Sequence, residues 1–160
     1  AIGTSGEIAR LKEEILKENT LDAVFTLPNE IFYPGASASA CCMVFKIGTK
    51  HSDVSNPDTY FGYYKEDGFK KKKNLGRVEQ LDVNTGKSKW LEIEKEWIEL
   101  YRNRKAVDGL SATHKVNGDD EWVCEAYMKT DYTKLTAQDF QQTINDYLAY
   151  LIKEGRIYES

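Results

Sequence analysis

The sequence predicts an α/β fold: the edge of a sheet whose centre lies elsewhere, then a β-hairpin and a mainly helical tail. Three observations lead there. A helical pattern near the N-terminus runs straight into a short apolar stretch, Ala23-Val24-Phe25-Thr26-Leu27. A second apolar run, Cys41-Cys42-Met43-Val44-Phe45, follows after a loop. Both runs are bounded by turn residues and read as buried strands. One helix ahead of two strands supplies too few layers to cover a doubly wound sheet on both faces.

The elements follow in order. Thr4-Ser5-Gly6-Glu7 has capping-box spacing, with Thr4 as N-cap. Ile8, Leu11, Ile15 and Leu16 then form one helical face, which should end near Asn19-Thr20. The loop from Leu27 to Ser37 carries Pro28, Pro34, Gly35 and the adjacent aromatics Phe32 and Tyr33. Proline has no N–H to give a strand ladder, so Pro28 ends the strand. A shaped loop at a strand end is where α/β folds build their sites. His51 to Asp58 is polar and turn-rich, and Tyr60-Phe61-Gly62-Tyr63-Tyr64 is strand-like. Glu66-Asp67-Gly68 reads as a hairpin turn, with Phe69 opening the return arm. Asn84 to Lys87 marks another turn.

From Ser88 the period becomes helical. Trp90, Ile93, Trp97, Leu100 and Tyr101 fall on one stripe, and Asp108-Gly109 should close this helix. Residues 110–135 show no clean period around Trp122, Cys124, Tyr127 and Tyr132, which predicts irregular structure or a short helix. Thr136 to Asp139 is a second capping box. Phe140, Ile144, Tyr147, Leu148 and Leu151 then give the clearest helical stripe, with Gly155 as its C′ residue. The predicted organisation is 1–50, 51–87 and 88–160.

The 160 residues, 41% hydrophobic and 30% charged, suit one globular domain. No apolar run approaches the roughly 20 residues of a membrane span. The first residues do not resemble a signal peptide, and the missing initiator Met leads one to expect a longer parent protein. A net charge of −4 argues against a generally basic nucleic-acid binder. Residues 65–77, however, gather Lys65, Lys70, Lys71, Lys72, Lys73 and Arg77 against only Glu66 and Asp67. A basic hairpin on an acidic body fits a local anionic partner, and it equally fits a solvated strand end. Four consecutive lysines alternate between the faces of a strand, so the segment should be exposed on both.

Cys41, Cys42 and Cys124 form no C-x-x-C, which leaves buried reduced thiols in a cytosolic setting as the expectation. His51 and His114 lie in polar segments without metal-ligand spacing. No nucleophile–base pair stands out, so neither a catalytic nor a metal site is expected in these residues.

Several features occur in a telling order: Gly3-Thr4-Ser5-Gly6-Glu7, the helix with Ile15-Leu16, Leu21-Asp22-Ala23-Val24-Phe25-Thr26-Leu27-Pro28, then Ile31-Phe32 and Cys42-Met43-Val44-Phe45. This order resembles the C-terminal part of the catalytic domain of N6-adenine DNA methyltransferases. It most resembles the modification subunits of bacterial type I restriction–modification systems. Tyr60-Phe61 with Asp67-Gly68-Phe69 and its lysines looks like the hairpin that follows there. Trp122, Glu125-Ala126-Tyr127 and Asp131-Tyr132 look like a tail pattern of one branch.

The resemblance implies a fragment of a Rossmann-like methyltransferase sheet. It implies S-adenosylmethionine as the parent's cofactor, and DNA and a specificity subunit as partners. The family's glycine loop and its Asn/Asp-Pro-Pro-aromatic loop are absent from this sequence. The chain alone is therefore expected to be inactive and not to bind the cofactor. What remains is the Leu-Pro loop, which lies near the extruded adenine in the family. Pro28, Asn29, Phe32 and Tyr33 are the implied target-base residues, with Phe32 as the matched aromatic. Packing of Phe32 beneath the loop is the competing expectation. Lys70, Lys71, Lys72, Lys73 and Arg77 are the candidate phosphate contacts. The alternative from another class is a non-enzymatic module that docks on DNA or on partner subunits.

Overall fold

The structure, a computed structural model, describes residues 3–4, 6–36, 38–129 and 136–154. It divides into two compact units, Ala1–Lys129 and Thr130–Ser160.

In the first unit, helix α1 (Gly6–Glu18) leads into strand β1 (Thr20–Thr26), and β2 (Cys41–Lys46) returns antiparallel beside it. Strand β3 (Asp58–Tyr63) lies parallel to β1 on its other side. A small antiparallel hairpin follows, β4 (Phe69–Lys72) with β5 (Gly76–Glu79), then helix α2 (Lys89–Arg102). Strand β6 (Ser111–Lys115) completes a four-stranded sheet of order β2-β1-β3-β6. This mixed α/β sheet draws strands from all three predicted segments.

The two faces of the sheet carry separate cores. On one, Leu16 of α1 meets Val24, Phe61, Val116, Trp122 and Cys124. On the other, Ala23, Tyr60 and Tyr64 pack with Leu100 of α2, and Trp97 and Tyr101 flank them. The stripe predicted for α2 is therefore the packed one, and Ser88 caps the helix through its side chain.

Helix α1 departs from expectation. Its buried residues are Ala9, Lys12 and Leu16, whereas Ile8, Leu11 and Ile15 are exposed. The segment 116–122 sets this rotation. Gly118 lies so close to Ala9 that a Cβ would sit 2.6 Å from the Ala9 carbonyl oxygen. Glu13 accepts a hydrogen bond from the Gly118 N–H at 3.0 Å, and the Lys12 ammonium lies over the Trp122 ring, 5.4 Å from its centre. The residue before the helix is Ser5, so the Thr4 cap cannot be placed: Ser5 lies outside the described residues.

Three further expectations are corrected. Cys41 and Cys42 are exposed, because among the described residues β2 pairs only with β1 and its outer edge is uncovered; Cys124 alone of the three is buried. Asp108-Gly109 does not close α2, which ends at Arg102, six residues before Asp108, with Asn103 as its C-cap. The reason is Asp22, only 5% exposed. Arg104, at φ 50°, turns its guanidinium back onto this carboxylate. The Tyr101 hydroxyl donates to it as well, and Lys46 Nζ lies 2.7 Å away. Burial pushes the Asp22 carboxyl upward, but these donors outweigh it and hold the pKa below its ordinary value. Finally, residues 110–135 contain β6 as well as a short 3-10 turn at Cys124–Ala126. The strand Ser111-Ala112-Thr113-His114-Lys115 has almost no apolar residue, since it is an edge strand held by its ladder to β3.

His51 opens a 3-10 turn and is 6% exposed, with neither ring nitrogen hydrogen-bonded among the described residues. Burial, and after it the charge of Lys115, lower its pKa from 6.5, against a smaller opposing pull from Glu13. A depressed folded pKa gives stability that is complete above the unfolded value and lost as pH falls toward the folded one. Thermal melts should therefore show a Tm that falls as pH is lowered from about 7 through the unfolded value of 6.5 into mild acid. His51→Leu should flatten that decline. An unchanged pH dependence in the variant would exclude His51 as the source.

The second unit contains helix α3 (Ala137–Lys153). The expected capping box is formed: Thr136 accepts from the Asp139 N–H, and the Asp139 side chain accepts from the Thr136 N–H at 2.7 Å. Phe140, Ile144, Tyr147 and Leu148 are exposed on it. Asp131, Tyr132 and Gly155 lie outside the described residues. Among the described residues, no helix is long and apolar enough to cross a membrane.

Candidate nucleic-acid interface

Parallel pairing decides where the candidate residues meet. Because β1 and β3 run the same way, their carboxyl ends share one edge of the sheet. The Leu-Pro loop leaves from the first and the basic hairpin from the second. The Tyr64 N–H donates to the Thr26 carbonyl at 3.0 Å, which joins the two exits.

The loop is closed at its base, where the Leu27 N–H donates to the Ala40 carbonyl at 2.9 Å. Within it, the Ile31, Tyr33 and Ala36 N–H groups donate to the carbonyls of Pro28, Glu30 and Phe32. Successive turns thus fold the segment onto itself. Pro28 is buried at the strand end, Asn29 is exposed, and Tyr33 is half-buried. Phe32 is 53% exposed, so more than half of it lies outside any packing beneath the loop.

The hairpin differs from expectation in its turn. Glu66-Asp67-Gly68 is the entry to β4, and the tip is Lys73-Asn74-Leu75, with Asn74 at φ 64°. Gly68 cannot serve as a free tip because its backbone abuts the first turn of α2: a Cβ there would sit 3.1 Å from the Lys89 Cβ. Asp67 instead organises the hairpin. It accepts from the Phe69 N–H and, through both oxygens at 2.7 Å, from the Arg77 guanidinium.

The register then sorts the basic residues. Lys71 stands opposite Arg77, so both share a face with Phe69. Phe69 meets the Trp90 ring edge-on, and Arg77 is held by Asp67 and lies over the Phe69 ring. Lys71 reaches the Leu-Pro loop. Its Nζ is 3.1 Å from Glu30 Oε1 and 4.5 Å from the centre of the Tyr33 ring. Lys70 and Lys72 point to the opposite face. Together with Lys73, they are exposed and make no side-chain hydrogen bond or ion pair among the described residues.

An aromatic wall backs the loop. Tyr64 stacks on Trp97 at 4.3 Å and donates its hydroxyl to the Trp97 carbonyl; burial raises its pKa. Phe25, Leu27, Trp90 and Ile98 extend the wall into an apolar recess of about 320 Å³. A larger polar recess of about 420 Å³ lies at the other end of β1, around Asp22, Lys46 and Arg104. There Asp22 pairs with both Lys46 and Arg104.

Sequence reasoning did not single out Glu30 or Asp67 as partners of the hairpin. No local signal marks them: Glu30 and Lys71 are 41 residues apart and meet only through the β1–β3 pairing.

The sheet edge thus gathers a Leu-Pro-aromatic loop and a basic hairpin at its strand ends, and comparison with known proteins shows the family. Residues 2–154 match the N-6 DNA methylase family, and the chain belongs to that family. It is 29% identical, over 139 residues, to the type II restriction enzyme and methyltransferase RM.BcgI of Heyndrickxia coagulans, covering 87% of this chain and 20% of that protein. The chain thus spans about a fifth of the length of this relative. Among solved structures it is similar to a type I restriction–modification methyltransferase subunit from Streptococcus thermophilus, with 22% identity and a TM-score of 0.48, over 71% of this chain and 20% of that one. A chain from a study of complex assembly and conformational transition in the type I R-M system is also similar, with 13% identity and a TM-score of 0.47, over 96% of this chain and 33% of that one.

Proposed function

We propose that this chain is the target-base-side part of an S-adenosylmethionine-dependent N6-adenine DNA methyltransferase of a bacterial, cytoplasmic type I restriction–modification system. Residues 1–50 would end the catalytic domain, 51–87 would carry the loop and basic hairpin, and 88–160 would form the C-terminal region. DNA and a specificity subunit would be its partners. The observation that carries this reading is the meeting of the Leu-Pro loop with the basic hairpin at one sheet edge, in a chain of the N-6 DNA methylase family. An extruded adenine needs an aromatic face to stack on and a nearby cationic surface for the flanking phosphates. Phe32 offers the first, and Lys70 and Lys72 offer the second.

The residues present do not fit the cofactor. No G-x-G loop follows a strand in this sequence, and at the polar recess Asp22, Lys46 and Arg104 are engaged with one another. No chemical step is therefore assigned to this chain. Its work is to hold the base and the backbone.

Calorimetry tests the assignment. The full-length parent should bind S-adenosylmethionine and, in the assembled enzyme, transfer methyl to adenine N6. The 160-residue chain should give no binding heat. Micromolar binding by the chain alone would overturn the proposal.

A further inference from the structure

We propose that Lys71 is a positioning residue rather than a phosphate contact: it clasps the Glu30–Tyr33 turn and so sets the place of Phe32. The proposal rests on the reading of the Leu-Pro loop as the target-base side, and it separates four lysines that are indistinguishable in sequence.

The hairpin has a fixed inner face. Phe69 packs against Trp90, and Arg77 is locked to Asp67 by two hydrogen bonds. The cross-strand register puts Lys71 on this same face, opposite Arg77. Its ammonium group is thus delivered to the loop from a braced strand. There it touches two groups of one turn: the Glu30 carboxylate at 3.1 Å and the Tyr33 ring at 4.5 Å. That turn is closed by the Tyr33 N–H on the Glu30 carbonyl, so one cation grips both of its ends. Phe32 lies inside the gripped segment, with more than half its surface exposed.

Glu30 and Lys71 are each 45% exposed, and a pair in that setting adds little to global stability. Its effect is local. A mobile loop would present Phe32 in many orientations, whereas stacking on an extruded base needs one. A lysine already engaged with a carboxylate and an aromatic face releases no counterion when DNA binds. The phosphate role falls to Lys70 and Lys72 on the outer face.

The test compares variants of the full-length parent subunit in the assembled enzyme. Lys71→Gln should lower kcat about fivefold to tenfold, with KM for DNA and the salt dependence of binding unchanged. Glu30→Gln should match it, the double variant should lose no more than either single one, and Lys71→Arg should retain activity. The pair Lys70→Gln/Lys72→Gln should instead lower the salt slope of DNA binding by about two and raise KM for DNA, without changing loop exchange. Hydrogen exchange on the 160-residue chain supplies the independent readout: Lys71→Gln should speed exchange of the amides from 27 to 36. A salt slope that falls by about one in Lys71→Gln, or loop exchange that does not change, overturns the clasp. Faster loop exchange with full methylation leaves the clasp standing and overturns the base-side reading of the loop.

Discussion

Asp22→Asn is expected to destabilise the protein by about 3 kcal/mol, a large share of the stability of a domain this size. The carboxylate is 5% exposed and takes hydrogen bonds from Lys46, Tyr101 and Arg104. Asparagine preserves the shape but has one acceptor oxygen and no charge. Arg104, with 29% of its side chain exposed, would keep its bond to the Asp22 carbonyl and lose its counter-charge. Lys46 is more exposed and can return to water, which places the cost at the low end for a broken buried pair. Urea titration should report the loss directly, and Tm should fall by roughly 6–12 °C. The sign with pH is fixed. Asp22 has a depressed folded pKa, so its contribution is present above the unfolded value of 3.8 and disappears as pH falls through the folded one. The gap between wild type and variant should therefore close in acid, well below the range in which His51 acts. A gap under about 1 kcal/mol at neutral pH would show that the cluster does not pin α2 to β1.

What was legible in the sequence followed from local chemistry. Apolar runs marked β1 and β2, the stripe from Trp90 to Tyr101 marked the buried face of α2, and Thr136 with Asp139 marked the start of α3. The failures share a cause: a distant partner chose between locally equivalent options. On α1, the rows Ile8–Leu11–Ile15 and Ala9–Lys12–Leu16 are both available, and Gly118 and Trp122 select the second. Apolarity made Cys41 and Cys42 look buried, but burial needs a neighbour, and none covers the outer edge of β2 among the described residues. Strand β6 has no apolar alternation, because its partner β3 supplies the core on its behalf. The candidate site was legible as two pieces, an aromatic loop and a lysine run. Their meeting was not, since it depends on parallel pairing between strands separated by an antiparallel excursion. The division of the lysines into clasp and outer face depends in turn on a hairpin whose tip lies five residues beyond the turn signal at Gly68.

Phe32→Ala in the full-length parent should reduce kcat/KM for adenine methylation by about tenfold to a hundredfold, the loss expected when one base–aromatic stack is removed. Three features of its position make the experiment clean. The ring is 53% exposed, so truncation leaves no buried cavity and should change the melting temperature little. The loop is closed by backbone bonds at Leu27–Ala40 and Glu30–Tyr33, which do not involve the Phe32 side chain. The outward lysines stand on a separate strand, so DNA affinity and its salt dependence should persist. The loss should therefore fall on presentation of the base and not on capture of the duplex. A duplex with 2-aminopurine at the target adenine reads that step: its fluorescence rises on unstacking, and the rise should shrink in the variant while the binding curve stays in place. Phe32→Tyr and Phe32→Trp keep a stacking face and should recover most of the activity. If Phe32→Ala methylates at the parental rate with an unchanged 2-aminopurine signal, the exposed aromatic is not the stacking partner, and the target-base role of this loop is lost.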